Sequence, residues 1–326
     1  MKMVQNLEQF IFIHDAILEE LVCGETQIDA SGFTAAMDDL SQQHILTNTT
    51  GFEKQFKALS KLSPKPQNKP RKSNWRKNRN SVFLQSLDGR ATELENEVVF
   101  VNGYKQKKAF IVAQSPSHSS ARDFWKMVYD MKCGVIVNLN TLEEITEEVF
   151  HQYWPDESGV MKVGEFLVDS LQVEQLPSFC IRSFSVVPEK SGKALQVFQI
   201  HITCWTPDGQ CSNLKSIVDT ISEMTKFQRR SSGGPVVVHC SDTVGRSGMF
   251  CAIVTTIERC KTEGVVDVFQ VVKALRVQKP GAVLTAVGFQ RQLYCKQTLF
   301  FFQMQYRAIF NVVAAYLESF SNYANF

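Results

Sequence analysis

The alternation of apolar and polar positions is sharpest in the last third of the chain. Residues 234–239, GPVVVH, form an unbroken apolar run bounded by Gly-Gly-Pro, the pattern of a strand buried on both faces. Phe250, Ile253, Val254 and Ile257 then recur at i, i+3, i+4 and i+7, predicting a helix that ends at Gly264. Asp267 caps a further helix with Val268, Val271, Val272 and Leu275 on one face and Pro280 as its stop. Upstream, the β-rich runs EVVFVNG, AFIVAQ, GVIVNL and ALQVFQIHI alternate with helical stretches such as SSARDFWKMVYDM. From about residue 98 the chain therefore reads as α/β, a mixed sheet covered by helices on both faces.

Residues 7–21 read as an amphipathic helix closed by Gly24, and residues 51–61 as a second helical region. The stretch 63–80, SPKPQNKPRKSNWRKNRN, mixes prolines with many Lys and Arg and contains no acid. It reads as an extended, solvated connector, with a patch for acidic lipid or phosphopeptide as the sharper alternative. The apolar run 299–317 includes Gln303, Gln305 and Arg307, which fits a buried amphipathic helix rather than a membrane span.

Composition narrows the function classes. With 326 residues, 44% hydrophobic and 21% charged, the chain has the make-up of a globular protein with a sizeable core. Its net charge of +2 gives no reason to expect nucleic acid or a membrane surface as partner. The first apolar run is interrupted by Gln, Glu and Asp, so it is no secretory leader. Nine cysteines, an odd number without a Cys-x-x-Cys pair, suggest free thiols in a reducing compartment and no zinc site.

One internal echo bears on organisation. MVQNLEQFIFI near the start resembles a late region running from Ala282-Val283-Leu284 to QMQYRAIF at 303–310, the later copy being longer. Two copies of one C-terminal element divide the chain into three parts. Residues 1–29 are expected to be the last helix of a preceding domain, and 30–80 a helical entry with the basic connector. Residues 81–326, together with 30–80, make a second domain.

The chemistry concentrates in VVHCSDTVGRSG, residues 237–248. A buried strand delivers His239 and Cys240 to a short loop, and a helix leaves it, so backbone N–H groups and a helix N-terminus converge on one small volume suited to phosphate. That field favours the Cys240 thiolate. Arg246 offers a planar fork for two phosphate oxygens, and Ser247 can bond the thiolate or assist hydrolysis of a thiophosphate. His239 is expected to orient the loop rather than act as a base. The missing Gly-Lys-Ser/Thr excludes a Walker-type nucleotide loop.

VVVHCSDTVGRSGMF resembles the signature loop of the protein-tyrosine phosphatases. KNRN (77–80), NGYKQKKAFIVAQSP (102–116), DFWKMV (123–128), QYWP (152–155), HITCWTPDG (201–209) and DVFQVVKALR (267–276) stand in that family's order. The nearest resemblance is to the second, membrane-distal domain of tandem receptor-type phosphatases. It implies a strongly twisted mixed sheet, Cys240 as nucleophile, Arg246 as phosphate clamp, and Ser247 as the hydroxyl near the leaving thiolate. Residues 241–246 (Ser241, Asp242, Thr243, Val244, Gly245, Arg246) form the phosphate cradle. The implied partners are phosphotyrosine peptides or proteins and a first phosphatase domain, in the cytoplasmic part of a receptor, with no metal or cofactor and no membrane span in this chain.

Four departures point to impaired chemistry. Active members carry Ser-Ala-Gly where this chain has Ser241-Asp242-Thr243. A carboxylate about 4 Å from one phosphate charge costs roughly 4 kcal/mol at an effective dielectric near 20. The family's Trp-Pro-Asp becomes Trp205-Thr206-Pro207-Asp208, so the general acid, Asp208, arrives one residue late. General acid catalysis is worth about 10²–10⁴-fold. The tyrosine that walls the substrate ring falls at Asn80, and the water-positioning glutamine falls in the expanded 282–305 region, whose stretch 284–303 fits no periodic element. Three readings follow: a phosphatase-family domain with weak or lost hydrolysis and a regulatory part, an active tyrosine phosphatase, and a loop serving another phosphate ester, the least supported.

Overall fold

The computed structural model describes residues 4–63, 84–85, 91–92, 98–145, 151–190, 192–206, 210–231, 233–241, 244–283 and 296–321. The basic connector, Asn80 and Leu284 lie outside the described residues. An eight-stranded sheet forms the centre. Its strands in chain order are β1 (Val99–Val101), β2 (Phe110–Gln114), β3 (Val135–Asn138), β4 (Val160–Val163), β5 (Phe166–Gln175), β6 (Phe179–Pro188), β7 (Leu195–Ile202) and β8 (Val236–Cys240). The spatial order is β1-β2-β8-β3-β7-β6-β5-β4. β8 runs parallel to β2 on one side and to β3 on the other, β7 is parallel to β3, and the remaining pairs are antiparallel. The mixed α/β sheet is thus as expected.

Both faces are covered. Side chains of successive strand residues alternate between faces. Ile111, Ile136 and Val237 pack on Phe124, Trp125 and Val128 of α4 (Ala121–Asp130). Val112, Val137, Val236 and Val238 face the larger core, which includes Phe250, Ile253, Val254 and Ile257 of α6 (Arg246–Glu263). That core also takes in α3 (Gly51–Leu62), α5 (Leu214–Arg230), α7 (Val268–Gln278) and α8 (Lys296–Ser321), with α2 (Phe33–Ser41) at its edge. α6 ends at Gly264 in the left-handed region, and Asp267 caps α7 by accepting from the Gln270 N–H. The stop at Gly264 and the start at Asp267 are those the sequence predicts.

Two expectations change. The stretch 284–303 was read as fitting no periodic element, yet α8 begins at Lys296. The segment KQTLFFFQ contains neither Gly nor Pro to stop a helix running back from Gln305. α1 (Leu7–Cys23) forms as expected, with Asn6 capping it, but Leu7, Phe10, Phe12, Ile17 and Leu21 stay exposed. Among the described residues it packs on α3, and near its end buried Glu19 accepts from Gln270 and Lys273 of α7.

The turn into β8 is tight. A Cβ on Gly234 would stand 2.3 Å from the Lys132 carbonyl oxygen and 2.4 Å from that of Met131. These are backbone atoms that cannot swing aside, so Gly234→Ala is expected to cost about 1–3 kcal/mol in chemical denaturation. Gly32→Ala, where nothing lies within 4 Å, serves as the neutral control.

Candidate active site

Three parallel strands, β2, β8 and β3, end side by side, and the crevice beyond such carboxyl ends is where open α/β sheets place their ligands. The Cys240 carbonyl accepts from the Ser115 N–H at 3.0 Å, and the His239 carbonyl from the Leu139 N–H at 3.0 Å. These bonds fix the strand up to its last residue. Strand alternation then sends Cys240 toward α6 and His239 toward α4.

Cys240 is fully buried, and Ser247 Oγ donates to its Sγ at 2.9 Å. Ser247 lies in the first turn of α6, whose cap is Gly245, so the sulfur sits at the positive end of a helix dipole. Val244 is anchored from another direction, its carbonyl accepting from the Val283 N–H at 2.8 Å. Gly248 permits that approach, because a Cβ there would meet the Val283 nitrogen at 2.8 Å.

Arg246 is 1% exposed and carries the densest set of contacts in the site. Its NH1 donates to Glu144 Oε2 at 2.7 Å, to the Leu139 carbonyl at 2.7 Å and to the Trp205 carbonyl at 3.1 Å. Its NH2 donates to Glu144 Oε1 at 2.7 Å and to Ser241 Oγ at 2.9 Å, with Asn140 Oδ1 at 3.5 Å. Ser241 Oγ in turn donates to Glu144 Oε1 at 3.0 Å. The pairing with Glu144 is the forked, two-bond geometry that suits guanidinium and carboxylate best. Burial on its own would raise the Glu144 carboxyl, but the hydrogen bonds and charge of Arg246 outweigh it and hold it below the usual carboxylate range.

His239 belongs to a buried polar chain behind the strand. Gln199 Nε2 donates to the Tyr153 hydroxyl at 2.8 Å, leaving that hydroxyl's proton for His239 Nε2 at 2.7 Å. His239 Nδ1 then donates to Ser115 Oγ at 3.0 Å, which also accepts from Asn140 Nδ2 at 2.5 Å. His201 closes the chain, with Nε2 2.8 Å from the Asn140 carbonyl and Arg182 donating to Nδ1 at 3.3 Å. Burial, the neighbouring His201 and Arg246 push His239 down to about 3, and burial with Arg182 pushes His201 down to about 4. Both rings are neutral at pH 7. The neutral, doubly bonded His239 ring lies edge-on to Phe124.

The structure thus gathers His239, Cys240, Ser241, Arg246 and Ser247 at one place, with Val244 and Gly245 completing the entry to α6. Asp208, Asp242 and Thr243 lie outside the described residues. The site also contains groups the motif reading passed over: Glu144, Asn140, Ser115, Tyr153 and the Trp205 carbonyl. Tyr153 was visible only as part of QYWP. Glu144 stood in a run of acids that looks like a solvated turn, 102 residues from the arginine it pairs with. Among the described residues, no cluster of three or more His, Cys, Asp or Glu is arranged to hold a metal ion.

The protein-tyrosine phosphatase family model matches residues 79–294. The chain belongs to the protein-tyrosine phosphatase family. Receptor-type members are among its curated relatives. Mouse receptor-type tyrosine-protein phosphatase alpha is 33% identical over 339 residues, covering 100% of this chain and 38% of the relative. Chicken receptor-type tyrosine-protein phosphatase S is 33% identical over 99% of this chain and 21% of its own length. The fruit-fly tyrosine-protein phosphatase Lar is 32% identical over 99% of this chain and 16% of its own length. The phosphatase-family chain therefore spans well under half the length of these relatives. Among its described residues no helix is long and apolar enough to cross a membrane.

Proposed function

We propose that residues 30–326 form the second, membrane-distal phosphatase domain of a tandem receptor, with weak or lost phosphotyrosine hydrolysis and a regulatory role beside an active first domain. The observation that carries this reading is the grip of Glu144 on Arg246. Both terminal guanidinium nitrogens are bonded to one carboxylate, and with the carbonyls and Ser241 more acceptors surround them than they have N–H groups. An arriving phosphate has to displace or share contacts already made to a charge already neutralised. The substitutions at Asp242, Thr243, Asp208 and Asn80 support the same conclusion. The exposed apolar side chains of α1 support residues 1–29 as the last helix of a preceding domain, whose body would cover them.

In this reading Cys240 is the nucleophile toward phosphorus, Arg246 the clamp and Ser247 the hydroxyl beside the leaving thiolate. Residues 241–246 are the cradle, His239 the orienting group and Asp208 a displaced general acid. The partners are phosphotyrosine peptides or proteins and the first domain, on the cytoplasmic side of a receptor. Turnover of an aryl phosphate and a phosphotyrosine peptide by the wild type, Cys240→Ser and Asp242→Ala/Thr243→Gly tests it. Wild-type turnover is expected to stay near the Cys240→Ser background, with a rise of about tenfold or more in the double replacement if the loop carboxylate is the main fault. Three flat traces place the fault in the displaced acid and the glutamine region. Wild-type turnover far above background overturns the proposal in favour of an active phosphatase working through a cysteinyl-phosphate.

A further inference from the structure

Cys204 and Cys211 stand on the two arms of the segment that carries Trp205. Trp205 and Cys211 form an antiparallel bridge, and the Thr206 N–H and Oγ1 donate to the Gln210 carbonyl at 2.9 and 2.8 Å. This pairing brings the two sulfurs to 3.2 Å, with Ser216 Oγ, in the first turn of α5, 3.1 Å from Cys204 Sγ. Both are free thiols and half-buried, so a small oxidant reaches them, whereas Cys133, Cys240 and Cys251 are buried. A disulfide needs its sulfurs about 2.0 Å apart, so closure asks them to approach by about 1 Å, a side-chain rotation on backbone already paired.

We propose that Cys204 and Cys211 are a redox modification site, separate from Cys240, whose reversible disulfide ties together the arms of the segment from which the Trp205 carbonyl holds Arg246. The chemistry needs one hydroperoxide. The Cys204 thiolate attacks the peroxide oxygen; an S–O bond forms, the O–O bond breaks, and the leaving hydroxide takes a proton to become water. The Cys211 thiol then attacks the Cys204 sulfenic acid, forming S–S, breaking S–O and releasing a second water with its own proton. The two thiols are oxidised by two electrons and the peroxide is reduced by two. The electrostatics agree with that order of events. The hydrogen-bonding Cys211, helped by Ser216, holds Cys204 below the usual thiol range, and the same contact pushes Cys211 up, so Cys204 is the attacking sulfur and Cys211 the resolving one.

No Lys or Arg separates the pair, so trypsin releases both on residues 194–215, apart from Cys240. The full chain is treated with hydrogen peroxide, alkylated with N-ethylmaleimide, digested without reductant and weighed. The 194–215 peptide is expected to lose both labels and two hydrogens, to recover them with dithiothreitol, and in Cys211→Ser to carry a dimedone-trapped sulfenic acid on Cys204. Exchange of the Thr206 amide, which donates to the Gln210 carbonyl, is expected to slow on oxidation. Both labels persisting at a dose that already oxidises Cys240, or a cross-link from either cysteine to Cys240, overturns the site. Unchanged exchange in the cross-linked form overturns the lock.

Discussion

Glu144→Ala will lower folding stability by about 3 kcal/mol, because it strands a buried guanidinium without its counter-charge. Arg246 and Glu144 have side chains 2% and 12% exposed, so water cannot replace the lost carboxylate at Arg246. Glu144→Gln keeps acceptor and donor atoms and loses only the charge, and should cost less. Replacing both residues with apolar ones, Arg246→Met with Glu144→Leu, recovers only part of the loss. The Leu139 and Trp205 carbonyls then lose the N–H groups that reach them. Urea unfolding of the four proteins checks this. A loss under about 1 kcal/mol for Glu144→Ala would mean the pair behaves as an exposed one.

Stability will also fall in acid, in two stages. His239 and His201 have folded values near 3 and 4 against an unfolded value of 6.5. Their contribution is therefore complete above pH 6.5 and is lost as pH falls from there toward the folded values, since only the unfolded chain takes up the protons. The slope is about 1.4 kcal/mol per pH unit for each histidine titrating. Glu144, held below its usual range, adds a second loss once pH falls past the ordinary carboxylate value of about 4.3 and through its own. Denaturation midpoints between pH 7.5 and 4 will show the first stage, and His239→Gln should flatten it while lowering stability throughout. A flat profile down to pH 5 would mean both rings protonate within the fold.

The strand, loop and helix of the site were legible because each has an unambiguous pattern: a continuous apolar run, then a 3.6-residue period closed by a left-handed glycine. The entry strand β8 is flanked by parallel neighbours, and such strands carry no polar alternation to confuse the reading. The antiparallel strands β4 and β5 were hard to read because one side of each meets solvent. Leu167 and Leu171, for example, are exposed within β5, so apolar residues there do not mark the core. α5 carries a readable stripe in Ile217, Val218, Ile221 and Met224, but no chemistry drew attention to it. The charge partner of Arg246 and the polar chain behind His239 were not legible at all. They are juxtapositions made by the sheet order, between segments about a hundred positions apart in sequence.

The two-residue repeat of β8 has a consequence for how this site can change. His239 and Cys240 are neighbours in the chain but serve opposite sides of the sheet, imidazole on one and thiol on the other. A single-residue insertion or deletion between Val236 and His239 would exchange them, burying the sulfur among Phe124 and Tyr153 and turning the ring toward α6. The strand can therefore drift in side-chain size at fixed length, but not in length, without trading reactivity for packing in one step.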